Sequence, residues 1–181
     1  MPDSNTTAAT AVTYRHVDSP LGPMIAGATG SGVCFLEWHD RGGVPLILER
    51  VRKRYRCETV EGNSPHLDQL ERELGEYFAG QRQEFEVAVD VNGTPFERRT
   101  WALLRSIPYG ATWSYGEMAR RLGKPGAARA VGRANGANYL SIVIPCHRVI
   151  EANGKLRGYG GGLWRKQRLL DMEAGRQVGA A

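Results

Sequence analysis

The chain has 181 residues, of which 41% are hydrophobic, and a formal net charge of +5. This length can bury two small cores, and we expect neither a signal peptide nor a membrane span because no basic leader or long apolar run occurs. Three widely spaced cysteines, Cys34, Cys57 and Cys146, argue against a disulfide framework and favour a protein of the reducing cytoplasm.

Charge is distributed unevenly along the chain. Residues 1–95 hold nine Lys and Arg against fourteen Asp and Glu, whereas residues 96–181 hold fifteen against five. Such a concentration of positive charge favours a polyanionic partner, most commonly nucleic acid, although a solvated basic face would give the same composition.

The first half of the chain predicts a small α/β domain over residues 12–92, after a flexible polar tail at residues 1–11. Short apolar stretches separated by turn residues indicate a small antiparallel sheet, and helical spacing follows them. The predicted elements are strands at 12–17, 24–28 and 33–38, helices at 45–54 and 65–79, and a strand at 85–91. The second of these helices should bury a stripe formed by Leu67, Leu70, Leu74, Tyr77 and Phe78.

The second half predicts a mostly helical domain over residues 93–176. Its first helix spans 95–107, with the predicted buried residues Phe96, Trp101, Leu103 and Leu104. Ser114 and Glu117 have the spacing of a capping box that opens a short helix through Leu122, and Lys124-Pro125-Gly126 then turns the chain into a third helix. Two short helices behind a longer one predict a winged helix-turn-helix-like, DNA-binding motif.

The third helix has two distinct faces. One is an apolar stripe of Ala127, Ala130, Val131 and Ala134, and the other carries Arg129, Gly132, Arg133 and Gly136. Glycine inside a helix costs about 1 kcal/mol relative to alanine, so a glycine-lined face indicates that something approaches the backbone closely. Either a DNA groove or a second helix would satisfy that pattern.

The segment Pro145-Cys146-His147-Arg148 carries the most specific chemistry. A thiolate is far more reactive than a thiol, so a nucleophilic cysteine needs an imidazole or a cation nearby. A lone cysteine after an apolar run is usually a small buried hydrophobe, but the histidine and arginine beside Cys146 favour a nucleophile. Neighbouring side chains on an extended segment point to opposite faces, so Cys146 and His147 require a bridging water or a tight turn, which Pro145 favours.

Several motifs follow one another between Phe85 and Glu173: Thr94-Pro95-Phe96, Ile107-Pro108-Tyr109-Gly110, Ser114-Tyr115-Gly116-Glu117, Ala127-Ala128-Arg129-Ala130-Val131-Gly132, Pro145-Cys146-His147-Arg148-Val149-Ile150 and Gly158-Tyr159-Gly160-Gly161-Gly162. In this order they resemble the motifs of the O6-alkylguanine-DNA alkyltransferases, also called methylated-DNA–protein-cysteine methyltransferases. The first half matches more loosely, through Asp18-Ser19-Pro20-Leu21-Gly22-Pro23 and Tyr77-Phe78-Ala79-Gly80.

The resemblance implies DNA repair by a protein that is consumed in one event. Cys146 would attack the alkyl carbon on O6 of a damaged guanine, or on O4 of a damaged thymine, and keep the alkyl group as a thioether. His147 would activate the thiol through a water, and Glu173 would orient and polarise the imidazole. Asn138 would tie the third helix to the cysteine segment, and Arg148 would support the site.

The resemblance also implies how double-stranded DNA is bound. The family places its helix-turn-helix in the minor groove and turns the damaged base out of the stack. Arg129 would fill the vacated space, and Tyr115 would crowd the 3′ phosphate of the rotated nucleotide. Ala128, Gly132 and Arg133 would complete the DNA-binding face. The protein is expected to be a monomer, and whether it binds cooperatively along DNA is left open.

The implied substrate pocket comprises Tyr115, Val149, Tyr159, Gly160 and Lys166. The backbone carbonyls of Cys146 and Val149 would accept hydrogen bonds from the guanine amino group, and Tyr115 would donate to the ring. Some relatives have serine in place of Gly160, so a hydroxyl near O6 is absent here and the pocket is expected to be roomier. Some relatives also bind zinc in the first domain, but its ligands are not evident in this sequence, and we expect neither a metal nor a cofactor.

Three other functions were weighed. A sensor that binds alkylated DNA without repairing it, as in alkyltransferase-like proteins, typically has tryptophan at the nucleophile position, so Cys146 counts against it. A helix-turn-helix regulator with a structural thiol would bind DNA with sequence preference and ignore the lesion. A cysteine hydrolase is disfavoured because no separate histidine is evidently placed for it.

Overall fold

The computed structural model describes residues 11–176, so the predicted tail lies outside the described residues except for residue 11. The chain forms two compact units. The first contains residues up to 79 together with residues 86–92, and the second contains residues 80–85 and those from 93 onward. Residues 80–85, which the sequence assigns to the first domain, therefore lie in the second unit.

The sheet of the first unit contains the three predicted strands, β1 (Val12–Val17), β2 (Met24–Ala28) and β3 (Val33–Trp38). Their antiparallel pairing is confirmed. A fourth strand that the sequence did not predict, β4 (Thr59–Glu61), pairs parallel with β1 and gives the order β3-β2-β1-β4. The sheet is therefore mixed rather than purely antiparallel.

Two helices accompany this sheet, α1 (Val44–Tyr55) and α2 (Pro65–Phe78), each within one residue of the prediction at either end. The Ser64 side chain accepts a hydrogen bond from the backbone N–H of His66 and caps α2, and Pro65 occupies its first turn. The predicted core stripe of α2 is buried except for Phe78, which is half-buried.

The strand predicted at residues 85–91 is wrong. The segment makes one isolated bridge, between Val89 and Val33, in which Val33 donates to the Ala88 carbonyl and accepts from the Asp90 N–H, and it forms no continuous strand. The reason is a buried side chain: a Glu73 carboxylate oxygen accepts from the backbone N–H groups of Glu86 at 3.0 Å and Val87 at 3.1 Å. That carboxylate provides the acceptor that a neighbouring strand would otherwise supply.

The second unit contains four helices, α3 (Pro95–Leu104), α4 (Tyr115–Arg121), α5 (Ala128–Gly136) and α6 (Leu163–Glu173). Two short parallel strands, β5 (Trp113–Ser114) and β6 (Val149–Ile150), pair beside them. Helix α3 ends three residues earlier than predicted. Of its four predicted buried residues, Trp101 and Leu104 are buried, whereas Phe96 and Leu103 are only half-buried.

The capping boxes differ from the prediction. Ser114 accepts from the backbone N–H of Glu117, but the Glu117 carboxylate binds Arg120 and Arg121. A complete reciprocal box, which the sequence reading missed, occurs between Thr94 and Glu97 at the start of α3. In α3 and in α4, a side-chain oxygen of the capping residue accepts from a backbone N–H of the first turn. Each helix therefore begins directly after its capping residue.

Helix α5 is anchored on α3 through an indole. The Trp101 ring N–H donates to the backbone carbonyl of Ala134 at 2.8 Å, and its ring packs edge-to-face on Tyr139 with centroids 5.5 Å apart. Trp101 is 2% exposed, so this contact is dry. Helix α5 is thereby fixed from its buried side.

Replacing Glu73 by alanine should lower the free energy of unfolding by about 2–3 kcal/mol, because two backbone N–H groups lose a buried charged acceptor. Denaturant titration of wild type and variant measures this difference. The matched control is Arg72→Ala on the same helix, where an exposed ion pair with Glu76 is removed and a change within about 0.5 kcal/mol is expected. Equal effects of the two substitutions would contradict this role for Glu73.

Candidate functional site

The reactive segment is a tight turn, as the adjacent Cys146 and His147 require. Residues 141–144 form a buried turn, Cys146–Arg148 form one turn of 3-10 helix, and β6 follows directly. Cys146 is 6% exposed and His147 is fully buried. The thiol therefore sits in a desolvated place beside an imidazole from the same turn.

Asn138, just past the end of α5, holds this turn together. Its side-chain amide donates to the carbonyl of Ile144 at 2.9 Å and accepts from the backbone N–H of Leu140 at 3.0 Å. Between them Ile142 has a φ of 71°, a left-handed conformation that is unfavourable for a β-branched residue. Asn138 thus joins the end of α5 to the segment before Cys146.

Glu173, at the end of α6, binds both residues that follow Cys146. One carboxylate oxygen lies 2.7 Å from His147 Nε2, and Arg148 donates to both carboxylate oxygens at 2.9 Å. Burial alone would raise the pKa of Glu173, but attraction and hydrogen bonds from His147 and Arg148 lower it to about 2. Arg148 also donates to the carbonyl of Ile107 at 2.7 Å, which fixes this cluster to the turn that follows α3.

His147 is poised as a neutral base. Burial lowers its pKa and outweighs the opposing effect of Glu173, so the imidazole is neutral at neutral pH. Because a carboxylate can only accept, the ring proton lies on Nε2 and Nδ1 carries the lone pair. Nδ1 is buried and has no hydrogen-bond partner among residues 11–176. It is the atom that can receive a proton.

Lys166 places a buried cation near the thiol. It is fully buried on α6, and its ammonium donates to the carbonyls of Arg157 at 3.2 Å and Gly158 at 3.3 Å. Burial lowers the pKa of Lys166, whereas the negative charge of an ionised Cys146 raises it. The attraction is mutual, so Lys166 favours the thiolate while it holds the loop at residues 157–158.

Tyr115 lies beside the same loop. It opens α4, and its hydroxyl donates to the carbonyl of Arg157 at 2.9 Å. Burial raises its pKa, and the negative charges of Cys146 and Glu151 raise it further, so the phenol keeps its proton. Tyr115 is thus a neutral donor close to the nucleophile.

The other predicted pocket residues fall on two elements. Val149 is buried at the start of β6, and its backbone N–H donates to the carbonyl of Cys146. Tyr159 is half-buried and Gly160 is exposed, both in the loop that leads to α6.

Sequence reasoning missed Asn135. This α5 residue is only 8% exposed, and its side-chain amide donates to the carbonyl of Cys146 at 3.2 Å. The available signal was its position beside Ala134 and four residues after Val131, where a polar side chain falls on the buried face of the helix. It gives α5 a direct contact with the nucleophile residue.

The opposite face of α5 is open. Arg129 and Arg133 are exposed, and Ala128 is half-buried. A Cβ atom added at Gly132 would lie 4.0 Å from Tyr115, its nearest neighbour, and one at Gly136 would meet nothing within 4 Å. Within the described residues no second helix requires these glycines, which favours approach by a partner from outside.

Cys34 is buried, and burial together with the negative charge of Asp90 raises its pKa well above that of an ordinary thiol. Residues 11–176 contain no group of three or more His, Cys, Asp or Glu that could hold a metal ion. Over the same residues, none of the helices is long and apolar enough to span a membrane.

Two family models match the sequence. Residues 12–91 match the ribonuclease-like domain of 6-O-methylguanine DNA methyltransferase, and residues 95–175 match the DNA binding domain of 6-O-methylguanine DNA methyltransferase.

Curated relatives and a solved structure agree with these matches. The methylated-DNA--protein-cysteine methyltransferase of Mycolicibacterium paratuberculosis is 48% identical over 166 residues, which cover 90% of this chain and 92% of the relative. The protein of the same name from Mycobacterium tuberculosis is 45% identical over 163 residues, 90% of this chain and 93% of the relative. The crystal structure of Mycobacterium tuberculosis OGT in complex with DNA is similar with a TM-score of 0.80 at 43% identity, covering 93% of this chain and 96% of that one.

The lowered pKa of Glu173 predicts a loss of stability in acid. A carboxylate whose pKa falls from 4.5 to about 2 on folding contributes about 3 kcal/mol above pH 4.5, and this is lost as the pH falls toward 2. Stability begins to fall below about pH 6.5, because the pKa of His147 is lowered in the folded protein and the imidazole of the unfolded chain is protonated more readily. Denaturant titrations from pH 7 to pH 3 measure the profile.

In Glu173→Gln we expect lower stability at pH 7 and a much flatter profile below pH 4.5. Glu49→Gln is the control, since Glu49 is paired with Lys53 only at the surface and its loss should leave the profile unchanged. An acid profile in Glu173→Gln as steep as that of wild type would contradict the assignment.

Proposed function

The chain belongs to the 6-O-methylguanine DNA methyltransferase family, and on that premise we propose that Cys146 receives the alkyl group, once per molecule. The protein is a methylated-DNA–protein-cysteine methyltransferase that acts in DNA repair by alkyl transfer. The observation that carries the residue assignment is the unpartnered, buried Nδ1 of the neutral His147, which follows Cys146 in the same turn. Cys34 lacks such surroundings, and burial raises its pKa.

The proposed reaction is an in-line displacement on the alkyl carbon. The thiol proton of Cys146 passes through a water to His147 Nδ1, and Glu173 stabilises the resulting imidazolium. The sulfur–carbon bond then forms as the bond between the alkyl carbon and O6 breaks. The departing guanine anion accepts a hydrogen bond from the Tyr115 hydroxyl, which keeps its own proton, and is neutralised by a proton from water, while His147 returns the thiol proton to water. Because the thioether is stable, no step regenerates the thiol.

DNA binding is proposed to use the open face of α5. Its two exposed arginines and its unobstructed glycines support close approach to the minor groove of double-stranded DNA, with the alkylated base turned out toward Cys146. Its exposure near the start of α5 supports Arg129 as the residue that would occupy the vacated position. We propose that one monomer acts on one lesion, in the cytoplasm, where the thiols Cys34, Cys57 and Cys146 stay reduced.

Incubation with a duplex that contains one O6-methylguanine should add one methylene mass to the peptide that contains Cys146, saturating at one per protein. Intact-protein and peptide mass spectrometry measure this. The Cys146→Ala variant should show no transfer but retain DNA binding, because the arginines supply phosphate contacts. Cys34→Ser is the matched thiol control and should transfer normally. Full transfer by Cys146→Ala would refute the assignment.

Arg129→Ala should slow repair of duplex DNA much more than reaction with free O6-benzylguanine, because only the duplex requires base extrusion. Single-turnover rates on the two substrates measure the difference. Arg133→Ala is the control on the same exposed face, and it should weaken binding to damaged and undamaged duplex alike. Equal slowing of Arg129→Ala on both substrates would remove the extrusion role.

A further inference from the structure

A dense group of positive charges lies at the C-terminal end of α1, in a half of the chain that is otherwise acidic. Of the nine Lys and Arg in residues 1–95, five fall within residues 50–56, and no acidic residue lies among them. Four of the five are exposed, and we call them the α1 basic cluster: Arg50, Lys53, Arg54 and Arg56. The fifth, Arg52, is half-buried and donates to the Thr59 hydroxyl at 3.1 Å.

The helix brings most of this charge onto one face. Arg50 lies three residues before Lys53 and four before Arg54, so the three side chains are neighbours on the helix surface. The buried residues of α1, Ile47 and Val51, lie on another side. Like charges at these spacings repel one another, so a partner of opposite charge would relieve a real repulsion.

Contacts within the chain account for only part of the charge. Glu49 pairs with Lys53 at 2.7 Å, and cations in the last turn of a helix complement its dipole. Arg50 lies before that last turn. Among residues 11–176, neither Arg50 nor Arg56 forms an ion pair. These two cations therefore have no electrostatic role in holding the helix that the fold reveals.

The buried carboxylate of Glu37 on β3 does not neutralise the cluster either. It already accepts from Arg41 at 2.8 and 2.9 Å. Burial raises the pKa of Glu37 to about 7, although the positive charges of Arg41, Arg50 and Arg54 lower it. At neutral pH the carboxylate is therefore only partly ionised, and the α1 basic cluster keeps a net positive charge.

Arg56 adds its charge at the expense of backbone strain. It ends α1 with a φ of 52°, in the left-handed region. Glycine is the usual residue at such a helix end, because it adopts this conformation without a steric penalty. The helix end by itself would thus favour glycine, and the arginine contributes charge instead.

We propose that the α1 basic cluster binds the phosphate backbone of DNA, independently of any lesion. Several exposed cations on one surface match a regular polyanion, and guanidinium groups bind phosphate oxygens in pairs. DNA is the polyanion on which this protein acts. The contact goes beyond the proposed function, because it involves neither Cys146 nor the open face of α5. It gives the first unit a share in the affinity for undamaged DNA.

The test measures binding of the full chain to an undamaged duplex by fluorescence anisotropy, between about 50 and 200 mM salt. DNA is kept in excess, so that each duplex carries at most one protein. Arg50→Gln should lower the steepness of log affinity against log salt by about 1, because one phosphate contact is lost. The control is Arg72→Gln on α2, an exposed cation paired with Glu76, which should leave the steepness unchanged.

Arg56→Gly separates binding from folding. It should reduce the steepness as Arg50→Gln does, while the midpoint of urea denaturation stays the same or rises, because glycine relieves the left-handed φ. Transfer from free O6-benzylguanine to Cys146 should be unchanged in both variants, since that reaction needs no DNA contact.

A salt dependence equal to that of wild type in both variants would overturn the proposal, since a merely solvated basic face predicts that result. A loss of affinity that occurs only with protein in excess would also overturn it, because the cluster would then contact a second copy of the chain. Failure of wild type to transfer the benzyl group to Cys146 would instead refute the proposed function, and the salt dependence would still decide the DNA contact.

Discussion

The buried carboxylate of Glu173 is the interaction on which the site depends. It binds His147 and Arg148, the two residues after Cys146, and Arg148 also reaches the carbonyl of Ile107 in the turn that follows α3. One negative charge thereby fixes the imidazole tautomer, neutralises a buried guanidinium and joins α6 to the reactive turn. A buried charge is tolerable only when it is fully paired, and here the pairing also leaves His147 Nδ1 as the available acceptor.

The proposed DNA-binding face and the proposed nucleophile are connected by one helix. Helix α5 exposes Arg129 on one side, while on its buried side Trp101 anchors it at Ala134. Asn135 reaches the carbonyl of Cys146 from this helix, and Asn138 follows its end and secures the turn before the cysteine. Two amide side chains therefore connect α5 directly to Cys146 and to the turn before it.

Local signals account for the elements that were predicted well. The strands β1, β2 and β3 follow from short apolar stretches separated by turn residues, and α2 follows from its cap and apolar spacing, because these depend on residues close together in the chain. The predictions that were wrong or missing depend on distant partners. Residues 85–91 alternate like a strand, yet Glu73 takes two of their backbone donors, and β4 exists only because β1 offers an edge.

The sequence by itself indicated the residue types of the candidate site: Pro145-Cys146-His147-Arg148 lies in a motif that resembles the family, and the resemblance implies Asn138 and Glu173. Only the tertiary structure decided the protonation and the hydrogen-bond partners of these residues. It buries His147 so that the imidazole stays neutral, lowers the pKa of Glu173 to about 2 by bringing it onto two partners 25 and 26 residues away, and turns Asn135 toward the cysteine. Protonation and hydrogen-bond direction depend on burial and on distances between side chains, and the order of residues alone determines neither burial nor distance.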